Sequence, residues 1–451
     1  MSLTRPPYNA IGTAIFSKSC AESNRKAGNC RYTARRQPST SFFRISVRTA
    51  SIMISSKNLK PATQLVHAGR HRDPNWYFIN PPVIRASTVL HNSVQDMRER
   101  GEAADKGTEG KPSYGTFGTE THKAFYEALM TLEGPRAAGA WAFSTGLGAC
   151  TTPLMAVLKA GDHALFADCI YGPTREFAEQ ILARFGVEVE FFDPLIGEGI
   201  EKLFKPNTAL VMMESPGTHS FEMMDVPAIA AQCARRGIVS AIDNTWATPL
   251  YFKPLEAGVD IVIHAATKYI SGHSDLVMGV VICGERVWPR VHRTILQMGQ
   301  AASPDDVYLA FRGLHTMKVR VEHAARTASE VISWLKSQPE IERVLYPALP
   351  EDPGYGIWKR DFTGATSLFA VRFAPEFAGR LDPFVDALEL FGRGFSWGGF
   401  ESLLIESYGK RTQGKECFDR MLRIAIGLED AADLIEDLKR GFAALRAAAR
   451  S

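Results

Sequence analysis

The chain has 451 residues, of which 45% are hydrophobic and 22% charged, with a net charge of +3. That is enough apolar material for a large core and more than one domain, and no apolar run reaches membrane-spanning length. The charge is uneven: residues 1–52 hold nine Lys/Arg and one acid, Glu22, whereas the remainder holds 43 basic and 48 acidic residues, so a basic nucleic-acid-binding body is not supported.

Residues 1–52 are rich in Ser, Thr and Arg and show no apolar periodicity, so they are expected to be disordered and irrelevant to chemistry. An organellar transit peptide has such a composition. An extension upstream of a natural start at Met53 fits equally, and is the preferred reading because composition does not settle targeting. A cytoplasmic location follows from that preference.

From Thr63 the chain reads as an arm and then a loop. Residues 93–113 are polar, and Gly101, Gly107 and Gly110 are expected to break any helix there. His122–Glu133 reads as a helix with Phe125, Leu129 and Leu132 on one face. After Ala140–Phe143, the stretch Ser144-Thr-Gly-Leu-Gly-Ala-Cys150-Thr is a strand-to-helix turn. Alternating strands and helices follow at 164–167, 174–185, 188–192, 208–214, 226–235, 238–242, 261–264 and 277–283. This alternation predicts a mostly parallel sheet with helices on both faces. Pro289 and Pro304 punctuate the exit. A long amphipathic helix over about 308–335 leads into a smaller C-terminal α+β domain. The expected divisions are 1–52, 53–118, 119–314 and 315–451.

The chemistry centres on two strand ends. Lys268 follows the apolar run Ile261-Val-Ile-His-Ala-Ala and enters a Gly/Ser/His turn, where catalytic groups of α/β enzymes sit. A desolvated amine loses its proton readily and can form a Schiff base with an aldehyde cofactor. Twenty-five positions upstream, Asp243 ends a second apolar run and can keep the pyridine nitrogen of pyridoxal phosphate (PLP) positively charged. It could equally cap the turn before Trp246. Ser144-Thr145-Gly146-Leu147 fits phosphate binding at a helix N-terminus, although an ordinary strand–helix turn has the same look. Thr267 offers a hydroxyl to the same phosphate. Tyr171, in Asp168-Cys-Ile-Tyr-Gly-Pro, could stack on the ring or simply pack in a turn before Pro173.

No metal site is expected. His264, His273, His315 and His323 make no His-x-x-x-His pattern and read as structural. The seven cysteines show no CxxC or regular spacing, which argues against a disulfide framework or a zinc site. Cys150, Cys169, Cys233 and Cys283 read as small core residues.

Taken in order, these motifs resemble the PLP-dependent enzymes of cysteine and methionine metabolism, the trans-sulfuration family, and within it the branch that cleaves cystathionine by β-elimination. The likeness runs from about Thr63 to the C-terminus. It rests on Tyr114-Gly, Phe192-Asp-Pro-Leu-Ile-Gly197, Glu214-Ser-Pro-Gly217, Ile242-Asp-Asn-Thr-Trp-Ala247 and Ala265-Ala-Thr-Lys-Tyr269. Gly272-His-Ser-Asp275, Pro347-Ala-Leu-Pro350, Trp358-Lys-Arg-Asp-Phe-Thr-Gly364, Ser396-Trp-Gly-Gly399 and Ile426-Gly-Leu-Glu-Asp430 continue it.

The resemblance implies fold type I, the aspartate-aminotransferase-like α/β fold of PLP-dependent enzymes, with 119–314 as the PLP-binding domain. It implies that Lys268 carries PLP and shuttles protons, with Tyr171 as a second catalytic group stacked on the ring. Asp243 would pair with the pyridine nitrogen, and Gly146, Leu147 and Thr267 would hold the phosphate. Arg423 would grip the substrate α-carboxylate, with Ser396, Trp397 and Tyr114 also at the substrate. The assembly implied is a homotetramer built from dimers, with Tyr114 reaching the neighbour's phosphate.

Two features separate the branches of that family. Glu214-Ser-Pro-Gly-Thr-His219 stands where γ-lyases and synthases resemble Glu-Ser-Pro-x-Asn-Pro, and Trp397 stands where they tend to carry an acid. Both point to β-elimination: cystathionine to homocysteine, pyruvate and ammonia, a step of methionine biosynthesis. Two departures concern the distal pocket. Thr116 stands where an arginine is usual, with Arg85 a candidate substitute, and Phe395 stands where a tyrosine is common. Cysteine or a cysteine S-conjugate is therefore an alternative substrate. A γ-elimination enzyme and a non-catalytic PLP-binding protein are the remaining alternatives.

Overall fold

The computed structural model describes residues 59–70, 78–107, 112–413 and 418–450. The expectations for residues 1–52, for Met53 and for Gly110 fall outside them.

The arm holds two helices, α1 (Pro61–His67) and α2 (Val94–Lys106). The expectation that glycines prevent a helix in 93–113 is wrong for its first part. Gly101 sits inside α2 with open space around it, so it costs only its backbone entropy. Against that cost stand the Ser93 hydroxyl, which accepts the Asp96 N–H, and the Asp96 carboxylate, which takes two donors from Arg100. Gly107 ends the helix, in a left-handed conformation (φ 63°). Helix α3 (Glu120–Glu133) starts two residues before the expected position, because Thr119 and His122 cap each other's backbone.

Next come β1 (Ala137–Phe143), α4 (Gly146–Val157), β2 (His163–Ala167) and α5 (Gly172–Phe177). The expected single helix over 174–185 is instead α5, one wide helical turn at Ala178–Leu182 and one tight turn at Ala183–Phe185. The chain continues through β3 (Glu188–Phe192), β4 (Thr208–Glu214), α6 (Val226–Arg236) and β5 (Val239–Asp243). A short α7 (Thr248–Tyr251), β6 (Ile261–His264) and β7 (Gly279–Gly284) complete the large sheet.

That sheet has the order β1-β7-β6-β5-β4-β2-β3. It is parallel except at β7, which runs antiparallel to both β1 and β6. The central strands are apolar on both faces. Val211, Met213, Ile242 and Val262 enter one core cluster, and Leu210, Met212, Ala241 and Ile263 enter the other. Strands buried on both sides read as continuous apolar runs, which is what the sequence displays.

Pro289 and Pro304 lie in the first turns of α8 (Trp288–Gln297) and α9 (Pro304–Leu335), where a missing N–H costs nothing. Helix α9 packs on α1, α3 and α12 (Ala431–Arg450), and on β8 (Ile341–Leu345) of a second, smaller sheet. After α10 (Tyr355–Asp361), β9 (Leu368–Phe373), α11 (Asp382–Asp386), β10 (Gly392–Arg393), β11 (Leu403–Glu406) and β12 (Met421–Ala425), that sheet has the order β10-β11-β12-β9-β8. No helix among the described residues is long and apolar enough to cross a membrane.

Candidate active site

The carboxyl ends of β2, β4, β5 and β6 point the same way, and the loops leaving them wall a cavity of about 890 Å³. The second sheet closes it with Phe395–Trp397, Tyr408–Arg411 and Arg423. Lys268, Asp243, Tyr171, Gly146, Leu147, Thr267, Ser396, Trp397 and Arg423, all named from the sequence, line this one space. Tyr114 does not. It is exposed at the start of a short turn whose Gly115 N–H donates to the Ser87 carbonyl. Arg85 is also elsewhere, with Nε donating to Asp305 at 2.9 Å.

Lys268 sits in the loop after β6. Its Nζ donates to the Ser396 hydroxyl at 2.6 Å and stands 5.4 Å from the Trp397 ring centre. Burial first and the Arg423 cation second push its pKa down to about 8, against the opposing pull of Asp243. Ser396 holds φ 87°, a left-handed conformation uncommon for a side chain with a Cβ. The same residue's carbonyl accepts Arg423 Nη2 at 3.0 Å, so Ser396 touches both cations. Gly398 lets this segment close on the lysine loop: a Cβ there would lie 2.9 Å from the Tyr269 nitrogen, and its φ is 79°.

Asp243 ends β5 and is buried. One carboxylate oxygen accepts the Thr245 N–H at 3.0 Å, and the other has the Cys150 thiol at 3.8 Å. Burial pushes its pKa up, opposed chiefly by the Thr245 hydrogen bonds. Glu214 lies beside it in register at the end of β4, and its carboxylate accepts the Tyr171 N–H at 2.7 Å. Burial, then the neighbouring Asp243, hold Glu214 well above the usual carboxylate range. The strand-end argument that found Asp243 applies equally to Glu214, whose motif was recognised without a role being given to it.

At α4 the Thr145 hydroxyl caps Gly148, and the first turn leaves the N–H groups of Gly146 and Leu147 free of intrahelical partners. Thr267 is more committed than expected. Its hydroxyl donates to the Met278 carbonyl at 3.1 Å and accepts the Met278 N–H at 2.9 Å.

Arg423, on β12, is buried and has no acidic partner among the described residues. Burial lowers its pKa to about 10, partly offset by Tyr408, Tyr171 and Tyr269. A buried guanidinium without a counter-ion is costly unless a ligand supplies one.

One further constellation escaped the sequence reading. Buried Asp168, just past β2, takes Arg175 Nη1 at 2.9 Å, Arg411 Nε at 3.1 Å and the N–H groups of Thr412 and Gln413 at 2.8 Å. Arg411 in turn forms a two-pronged pair with Glu222 at 2.7 and 3.0 Å. This knot fastens the loop after β11 to the end of the large sheet. Among the described residues, no group of three or more His, Cys, Asp or Glu is arranged to hold a metal.

The donors fit PLP. An amine, a buried carboxylate and a buried guanidinium each without an ion-pair partner among the described residues, and N–H groups at a helix start, face one cavity, matching an aldehyde, a ring cation, a substrate carboxylate and a phosphate. The chain belongs to the Cys/Met metabolism PLP-dependent enzyme family, whose model matches residues 62–443. A putative cystathionine beta-lyase of Rhizobium johnstonii is 47% identical over 393 residues, 85% of this chain and 96% of that protein. Cystathionine beta-lyase MetC of Escherichia coli is 39% identical over 392 residues, 84% and 98% of the two chains. An L-alanine/L-glutamate racemase of Wolbachia pipientis is 37% identical over 398 residues, 86% and 98% of the two chains.

Proposed function

We propose that this enzyme cleaves the Cβ–S bond of an L-sulfur amino acid, cystathionine foremost, consuming one water and releasing a thiol, pyruvate and ammonia. The observation that carries the reading is the buried, acid-free Arg423 in the same cavity as Lys268, two cations joined through Ser396. Gly146, Leu147 and Thr267 would hold the cofactor phosphate, Asp243 its ring nitrogen, Tyr171 its ring face, and Lys268 would carry it through its amine. Thr267 would donate to the phosphate only in place of its bond to the Met278 carbonyl. Bound PLP supplies the electron sink that acidifies the substrate Cα–H bond.

The rest is done by this chain's residues. Arg423 grips the α-carboxylate and so fixes which Cα substituent faces Lys268. The Lys268 amine takes the Cα proton and returns a proton to the departing sulfur, with the Ser396 hydroxyl holding Nζ in place. Its depressed pKa suits both directions of transfer. Trp397 contributes an apolar wall where an acid would favour a different branch of the family.

Self-association into a dimer of dimers belongs to this reading, and would bring Tyr114 to a neighbour's phosphate. Phe78, Ile79, Leu90, Val94 and Met97 support it, as large apolar side chains exposed along the arm. A second reading is amino-acid racemisation, which the Wolbachia relative favours, since it needs the same Cα proton removal and only a different fate afterwards. Purified enzyme should be assayed for pyruvate, 2-oxobutyrate and D-amino acids across cystathionine, cysteine, cysteine S-conjugates, alanine and glutamate. Pyruvate from cystathionine as the fastest product is expected; dominant 2-oxobutyrate or D-amino acid would overturn the reading.

A further inference from the structure

His219 lines the same cavity and has no part in the scheme above. It lies in the tight loop after β4, where Gly217 N–H donates to the Glu222 carbonyl and Phe221 N–H to the Gly217 carbonyl. Its backbone is left-handed, φ 59°, a conformation a β-carbon disfavours. The residue is 6% exposed and its ring packs on Tyr408, with ring centres 4.8 Å apart, and edge-on to Phe418. Its Nδ1 is buried without a hydrogen-bond partner. A leucine would fill such an aromatic niche without stranding a polar atom, so the ring calls for another account.

An orphan buried N–H is rarer than an under-used acceptor. The tautomer that avoids one carries its proton on Nε2, which leaves an Nε2–H to offer to whatever enters the cavity. Burial, then the nearby Arg423 cation, hold the ring neutral, so it donates a hydrogen bond without adding charge.

We propose that His219 is a substrate-binding residue that donates from Nε2 to the α-carboxylate of the amino acid, beside the Arg423 fork. The assignment rests on the reading of Arg423 as the carboxylate clamp. A carboxylate has about four acceptor sites and a guanidinium fork engages two of them. Arg423 already spends part of its donor capacity on the Ser396 carbonyl. A neutral donor at the remaining oxygen edge sharpens the choice of α-amino acids over plain amines.

The test uses holoenzyme and two competitive inhibitors that differ only in the carboxylate, L-norleucine and pentylamine. The quantity read is the ratio of their inhibition constants. His219→Phe keeps the ring packing and removes the N–H, and His219→Gly keeps the left-handed backbone and removes the ring. Both are expected to lower the preference for norleucine roughly 10-fold, with pentylamine binding little changed, as loss of one hydrogen bond to a charged group demands. An unchanged ratio in His219→Phe, or equal weakening of both inhibitors, would overturn the proposal and leave His219 a packing residue. Arg423→Ala is the control: if it too leaves the ratio unchanged, the carboxylate-clamp reading itself fails.

Discussion

Lys268 Nζ and Ser396 Oγ lie 2.6 Å apart, although 127 residues separate the two in the chain and they belong to different sheets' loops. The contact gives the reactive amine one fixed hydroxyl acceptor in an otherwise desolvated wall. Through the Ser396 carbonyl it also ties that amine to Arg423.

In the proposed scheme, replacing Lys268 by alanine removes both the cofactor's attachment point and the proton carrier. Turnover is expected to fall to background. Borohydride reduction of the wild-type enzyme followed by peptide mass spectrometry should place the pyridoxyl mass on Lys268. A label on another lysine would refute the assignment.

Arg423→Lys keeps charge but loses the planar fork. The cost should appear in kcat/KM, by about 2–4 kcal/mol for a buried charged contact, with the cofactor still bound. A variant with near-native kcat/KM would show that the α-carboxylate is held elsewhere.

The free Lys268 amine, not its conjugate acid, attacks an aldehyde. Its pKa is depressed to about 8, so the labelling rate of Nζ in cofactor-stripped enzyme should rise as pH passes through that value and level off above it. Arg423 lowers this pKa as the second contributor after burial. In Arg423→Gln the midpoint should therefore move to higher pH without reaching that of an exposed lysine. Competitive labelling at graded pH, read by mass spectrometry, measures both midpoints. A midpoint that does not move would separate the two cations.

Asp168 serves as the common counter-ion of Arg175 and Arg411. Asp168→Ala leaves buried Arg175 only Glu179 and Arg411 only Glu222, so stability should drop, by less than the roughly 3–5 kcal/mol of a fully uncompensated buried charge. Arg411→Met leaves Asp168 its partner Arg175 and should cost less. Denaturant titration of both variants gives the comparison, and equal losses would show that Arg411 is the main partner.

What the sequence disclosed and what it concealed divide along a physical line. That Lys268 and Asp243 would line one cavity was legible because one follows an apolar run and the other ends one, and a strand end in an α/β sheet is where a side chain meets ligand. The reversal of β7 was not legible, since strand direction has no local signature and is decided by which neighbours it finds. Helix α2 was hidden because Gly101 costs about 1 kcal/mol in a helix, and that cost is outweighed by caps and pairs visible only once folded. His219 was likewise beyond reach: its interest lies in partners from residues 408 and 418, far along the chain.

The knot at Asp168 bears on how the protein is made. During synthesis the lysine and its aspartate emerge from the ribosome well before Arg411 and Arg423, a delay on the order of ten seconds at ordinary elongation rates. Over that interval the nascent chain holds a carboxylate waiting for one of its two guanidinium partners, and an amine with no wall opposite it. A copy ending before Arg411 lacks both the second partner of Asp168 and the Arg423 side of the cavity.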